Sequence, residues 1–177
     1  INPIQNPDGR VNGTRRNGYG IDLNRDFITQ SQPETQALTA VLADWNPLVL
    51  LDMHGFMPTL LIEPCTPPHN PNYEYDLYLE WALAQALAMK AELKEQLGLD
   101  SKIALLEWAD SWDDWPPIYT PQYAMYHGSY GHTLETPFRD ERGVAALVTA
   151  VMGALKFAVK NKQEMVMDQI EIFRRGF

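Results

Sequence analysis

Apolar and polar positions along this chain predict helices separated by short buried strands. Pro33 and Glu34 open a predicted helix that runs to Trp45 and stops at Asn46-Pro47, since proline restricts the residue before it and lacks an N–H. Leu48-Val49-Leu50-Leu51 is a continuous apolar run between turn signals. That is the pattern of a strand buried on both faces, and it leads into Asp52-Met53-His54-Gly55. Leu60–Ile62, Lys102–Trp108 and residues 131–136 predict further strands. Residues 74–97 predict the clearest helix. Leu79, Leu83, Ala86, Leu93 and Leu97 share one face at 100° per residue, and Gly98 is a stop signal. A long C-terminal helix is predicted over 143–175, with Val144, Val148, Val151, Leu155, Ala158, Val166 and Phe173 on one face. Lys162 and Gln169 interrupt that stripe and predict a break near 160–163. Strands alternating with helices imply α/β layering.

The segments between these elements are as informative. Residues 1–27 are rich in Asn, Gly, Pro and Arg, and Asn6-Pro7-Asp8-Gly9 is a strong turn signal. An irregular surface loop is expected there, where functional residues concentrate. Asp110–Tyr126 is rich in Trp, Asp and Pro without regular period. Its Trp108–Trp115 part is a candidate for shaping a pocket or for a packed, solvated loop.

The chain has 177 residues, 45% hydrophobic and 21% charged, which suits one globular domain and argues against disorder. Fourteen Lys and Arg against 23 Asp and Glu give a net charge of −9. A general nucleic-acid binder needs a basic face, so that class is disfavoured. The single cysteine, Cys65, excludes an internally disulfide-stapled scaffold. Ile1–Asn17 has no apolar core of a secretory signal, and the compartment stays open between secreted and cytoplasmic. Gly143–Val159, interrupted by Lys156, is short of the ~20 residues of a membrane span. A packed amphipathic helix is expected there, with no membrane span.

Four groups of residues carry candidate chemistry. Asn24-Arg25 offers an amide beside a guanidinium fork, a pair suited to a carboxylate; the bland counterpart is Arg25 paired with Asp22 or Asp26. His54 follows a buried strand, at the sheet edge where α/β proteins place ligands, and imidazole there can bind zinc or act as a base. Its counterpart is a satisfied, partly buried histidine. Glu135 ends another apolar stretch and can serve as general base toward a metal-bound water; a structural or solvated glutamate is the alternative. Arg15 and Arg16 can stabilise an oxyanion or remain solvated loop cations.

The order of the pieces gives them weight: Asn6-Pro7-Asp8-Gly9, Arg15-x-Asn17, Gly20-x-Asp22-x-Asn24-Arg25-Asp26-Phe27, Pro33-Glu34-Thr35, the strand ending in His54, then Glu135-Thr136-Pro137. This series resembles the zinc metallocarboxypeptidases of the carboxypeptidase A-like type, over about residues 1–160. The resemblance implies a mixed β-sheet flanked by helices. It implies that the chain is the C-terminal portion of a single catalytic domain, truncated at its N-terminal side. It matches His54 to the third zinc ligand, Glu135 to the general base and Arg15 to the carbonyl-polarising arginine, with Arg16 as fallback. Asn24 and Arg25 match the pair that binds the substrate's terminal carboxylate. Tyr119 is the choice for the substrate-capping tyrosine, among Tyr119, Tyr123 and Tyr126. The family's usual second Asn after the Arg is Asp26 here, which sets a negative charge beside the carboxylate-binding pair.

The family's first two zinc ligands come from a His-x-x-Glu motif upstream of the Asn-Pro-Asp-Gly segment, and none stands upstream here. A catalytic zinc site wants three protein ligands and an open position, for which carboxypeptidase A is itself the general example. The remaining ligands are therefore expected from a missing upstream segment, leaving this chain alone incomplete and inactive. An internal site built from His54, His127, His132 and Glu63 is the alternative. The expected activity is zinc-dependent hydrolysis of the C-terminal peptide bond of peptides or peptidoglycan stem peptides, with a free C-terminal carboxylate as the recognised group. A zinc-dependent deacylase of N-acyl amino acids and a non-catalytic binding module that kept the fold are the competing readings.

Overall fold

The computed structural model describes residues 1–2, 4–55, 57–108 and 115–176. The elements are α1 (Pro7–Asn12), a 3-10 turn at Leu23–Arg25, α2 (Pro33–Trp45), β1 (Val49–Met53), β2 (Leu61–Pro64), α3 (Tyr75–Leu97), β3 (Lys102–Ile103), α4 (Ala104–Glu107), α5 (Thr120–Tyr126), β4 (Tyr130–Glu135) and α6 (Glu141–Gly176). The four strands form one mixed sheet in the order β1-β4-β2-β3. β1 runs parallel to β4, β2 antiparallel to β4, and β3 parallel to β2. The mixed sheet flanked by helices is the architecture that the family resemblance implied.

Strand alternation divides the sheet into two faces. Tyr130, His132 and Leu134 of β4 face α3 and α6: the Tyr130 hydroxyl donates to the Met165 carbonyl, and His132 Nε2 lies 2.9 Å from the Ala82 carbonyl. Leu134, Ile62, Ile103, Ala86, Met89, Leu93, Ala146, Ala150 and Ala154 form one buried core on that side. Gly131, Thr133 and Glu135 face the other way. A Cβ on Gly131 would lie 2.6 Å from the Pro121 carbonyl oxygen, so glycine lets α5 rest directly on this second face.

α2 begins with Pro33 in its first turn and ends at Asn46, whose left-handed φ of 44° caps the helix through an N–H bond to the Leu42 carbonyl. Gly98 caps α3 in the same way, with φ 67°. The 3.6-residue pattern located α3 and α6, caught part of the buried face of α3 through Ala86 and Leu93, and misplaced the face of α6. α3 buries Tyr78, Ala82, Gln85, Ala86, Met89 and Leu93, while Leu97 is exposed. α6 buries Gly143, Ala146, Ala150, Gly153 and Ala154 in its first half, while Val144, Val148, Leu155 and Val159 are exposed. The reason is closeness. A Cβ on Gly153 would lie 3.1 Å from the Met89 Cα, so this helix pair meets through small residues rather than through its branched ones.

Other expectations are corrected. α6 is continuous from Glu141 to Gly176, without the break near 160–163. By length and composition alone it is apolar enough to cross a membrane; in this fold its small-residue stripe packs along α3. The Asn-Pro-Asp-Gly turn is the start of α1, where the Asn6 side chain accepts from the Gly9 N–H. Only Lys102 and Ile103 of the expected Lys102–Trp108 strand pair, and α4 takes over at Ala104. β1 is a half-buried edge strand rather than a fully buried one. Within Asp110–Tyr126, residues 110–114 lie outside the described residues, and α5 occupies Thr120–Tyr126.

Candidate functional site

The site begins at the C-terminal end of β1. His54 donates its backbone N–H to the Leu134 carbonyl at 2.7 Å, which carries the β1–β4 pairing one step past Met53. Asp52 and His54 therefore share a face, and the register Asp52↔Thr133 makes it the face of Glu135. His54 Nε2 lies 3.0 Å from Asp52 Oδ2, and its Nδ1 lies 3.6 Å from Glu135 Oε1. Burial disfavours the imidazolium, but hydrogen bonds to Asp52 and Glu135 and the charges of both outweigh it. They push the His54 pKa up from 6.5 to about 10. Glu135 is buried, and its Oε2 has no hydrogen-bond partner among the described residues.

A second group stands on the opening loop. Asp22 ties it together: one oxygen accepts from the Asn24 N–H at 3.1 Å, and the other pairs with Arg15 Nε at 2.8 Å. Asn24 Oδ1 accepts from both the N–H and the hydroxyl of Thr120, at 3.0 and 3.2 Å. The Arg25 guanidinium lies 4.5 Å over the Tyr119 ring and donates to the Asn24 carbonyl. Since Thr120 opens α5 and Pro121 rests on Gly131, this loop group is anchored over the same sheet face as Glu135.

The structure thus brings His54 to Glu135, and Asn24 and Arg25 to Tyr119, with Arg15 joined to the second group through Asp22. Arg25 pairs with neither Asp22 nor Asp26, the bland outcome. Arg16 donates to the Gly20 carbonyl at 2.8 Å, bracing the loop and leaving Arg15 as the arginine of the site group. Asn17 is buried structural glue: its side-chain oxygen accepts from the Tyr19 and Ile21 N–H groups, and its side-chain NH₂ donates to Gln32 and Glu34. Tyr123 packs on Phe27 and bonds Gln30, and Tyr126 packs on Tyr73; only Tyr119 lies against the Asn24-Arg25 pair.

Asp26 turns its carboxylate to donors of its own loop rather than to Arg25. Its two oxygens accept from the Thr29 hydroxyl, the Ser31 N–H and hydroxyl, and the Gln32 N–H. Burial raises its pKa, but these donors outweigh burial and hold it at about 2. Two contributing residues carried little sequence signal. Asp52 was readable only as Asp-x-His at a strand end, and Thr120 had no pattern at all.

Zinc takes imidazole nitrogen and carboxylate oxygen as ligands, and the His54–Glu135 pair offers both across 3.6 Å. The donors present fit one ligand and an adjacent base. Among the described residues no group of three His, Cys, Asp or Glu side chains is placed so that it could hold a metal ion. The internal site is not formed. His132 faces α3, burial pushing its pKa down to about 4, and His127 packs on Tyr123 at the end of α5. Glu63 sits opposite Thr133, on the Glu135 face but two positions along.

No family model matches the chain, and no curated protein matches it in sequence. Solved structures do match its fold, metallo-carboxypeptidases among them. The metallo-carboxypeptidase from Burkholderia cenocepacia superposes with a TM-score of 0.65 at 23% identity, over 90% of this chain and 44% of that one. The metallo-carboxypeptidase from Pseudomonas aeruginosa, solved in complex with (2-guanidinoethylmercapto)succinic acid, gives 0.63 at 18% identity, over 91% and 45%. The chain spans less than half the length of these neighbours and has the fold of that part of a metallo-carboxypeptidase.

Proposed function

We propose that this chain carries the base and the carboxylate-binding half of a zinc metallocarboxypeptidase site, acting on the C-terminal bond of a peptide or peptidoglycan stem peptide. The observation that carries the reading is the Nδ1–Oε1 approach of His54 and Glu135 at 3.6 Å, on the face over which Asn24 and Arg25 are anchored. His54 holds the metal with ligands from outside the described residues. When bound, zinc supplies Lewis acidity to water and to the scissile carbonyl. Glu135 takes the proton from the attacking water and passes it to the leaving amine as the C–N bond breaks. Arg15 stabilises charge developing on the carbonyl oxygen. Asn24 and Arg25 hold the free carboxylate, which fixes cleavage at the last bond, and Tyr119 lies beside that group to close over it.

The bound succinic acid derivative in the Pseudomonas aeruginosa neighbour supports a carboxylate-recognising site. A pair of otherwise identical peptides, one with a free and one with an amidated C-terminus, tests the reading on the gene's complete product. Release of the last residue from the free peptide alone is expected, and equal cleavage of both would contradict it. Absence of a His-x-x-Glu from the complete encoded sequence before Ile1 would count against the peptidase reading and favour a non-catalytic binding module.

A further inference from the structure

We infer that Asp52 is the positioning residue for His54, fixing the imidazole so that Nδ1, rather than Nε2, is the nitrogen presented to a metal beside Glu135. The inference rests on the metallopeptidase reading of His54 and adds to it the residue that aims the ligand. Its basis is geometric. Residues two apart on a strand share a face, and the His54 N–H bond to Leu134 keeps that strand register through the histidine. Asp52 Oδ2 then reaches Nε2 at 3.0 Å. A carboxylate oxygen is the acceptor of such a bond and the ring N–H its donor, which sets the hydrogen on Nε2. With that hydrogen held on Nε2 by Asp52, Nδ1, the nitrogen 3.6 Å from Glu135 Oε1, is the one left to exchange its proton for a metal.

Among the described residues, His54 is the sole ion-pair partner of Asp52, so the carboxylate is not already committed to a surface cation. Both side chains are about four-fifths shielded, at 18% and 21% exposure, which strengthens the hydrogen bond and limits competition from water. Without Asp52 the ring is free to turn about χ2 and to present either nitrogen. A carboxylate behind a ligating histidine also raises ligand basicity, and losing such a partner typically costs about 10–100-fold in metal affinity.

The test uses the ¹⁵N-labelled complete gene product, with Zn²⁺ alone as the probe, read through long-range ¹H–¹⁵N imidazole correlations; His54→Ala assigns the resonance. In the unsubstituted chain Nε2 is expected to stay protonated while Nδ1 shifts with added Zn²⁺. Asp52→Ala should weaken the response about 10–100-fold and divide it between the two nitrogens. Asp52→Asn keeps an acceptor oxygen and should recover the Nδ1 selectivity with part of the affinity. Backbone amide spectra of each variant verify the fold. An unchanged affinity at Nδ1 in Asp52→Ala overturns the positioning role while leaving His54 a ligand. A His54 that never responds to Zn²⁺ overturns the ligand assignment, and the positioning role with it.

Discussion

Thr120 donates twice to a single atom of Asn24: its backbone N–H and its hydroxyl both reach Oδ1, at 3.0 and 3.2 Å. This fixes which way the amide faces, because the oxygen is engaged and only the NH₂ end is left to donate. A carboxylate needs donors, so Thr120 sets Asn24 for anion binding beside Arg25. Thr120→Val keeps the N–H and loses the hydroxyl, a change of about 1 kcal/mol in holding the amide. Succinate titrated into the chain, followed through the Asn24 and Arg25 side-chain resonances, should bind several-fold more weakly to Thr120→Val. Thr120→Ser should restore it. Equal binding by all three would place the carboxylate site elsewhere.

Asp26 gives the fold an acid-sensitive joint. Its pKa falls from 3.8 to about 2 in the folded chain. A lowered carboxylate pKa contributes stability above the unfolded value that is lost as pH falls through the folded one. The contribution is about 2 kcal/mol, fully present above pH 4 and lost progressively toward pH 2. Asp26→Asn should be destabilised by about that amount at pH 7 in urea unfolding, and its difference from the parent chain should shrink toward pH 2. A difference constant with pH would show that the side chain acts through shape alone.

The α3–α6 contact predicts an inversion of ordinary expectation. Val148 is more apolar and bulkier than Ala150, yet Val148 is 54% exposed and Ala150 is 2% exposed. Val148→Lys should change stability by no more than about 0.5 kcal/mol. Ala150→Leu forces side-chain volume into a closed helix crossing and should cost about 1–3 kcal/mol. Thermal unfolding of the two variants measures this, and the reverse ranking would mean that α6 lies on α3 by its other face.

That same contact shows where sequence pattern stops being informative. α2, α3, α6, β1 and β4 were visible because their apolar residues recur at helix or strand period and end at Asn46, Gly98 or Pro137. Which face α6 buries was not visible. A period weighted by hydrophobicity follows Val144, Val148 and Leu155, whereas the helix packs through Gly153 and its alanines. α4 and α5 are too short for period to show. The Asn24-Arg25, His54 and Glu135 positions stood out through the order of short motifs. Asp26 read as a disturbance to anion binding because its hydrogen bonds to Ser31 and Gln32 depend on a loop path that no local pattern encodes. Thr120 escaped notice because its partner lies 96 residues away.

We propose Glu135 as the general base of a zinc carboxypeptidase site. The most direct measurement is release of the C-terminal residue from a free-ended peptide by the zinc-loaded complete gene product, beside its Glu135→Gln variant, with zinc content determined on both. The expected result is loss of turnover by about 10²–10⁴-fold or more in Glu135→Gln, with zinc retained. Normal turnover by the zinc-loaded variant would contradict it.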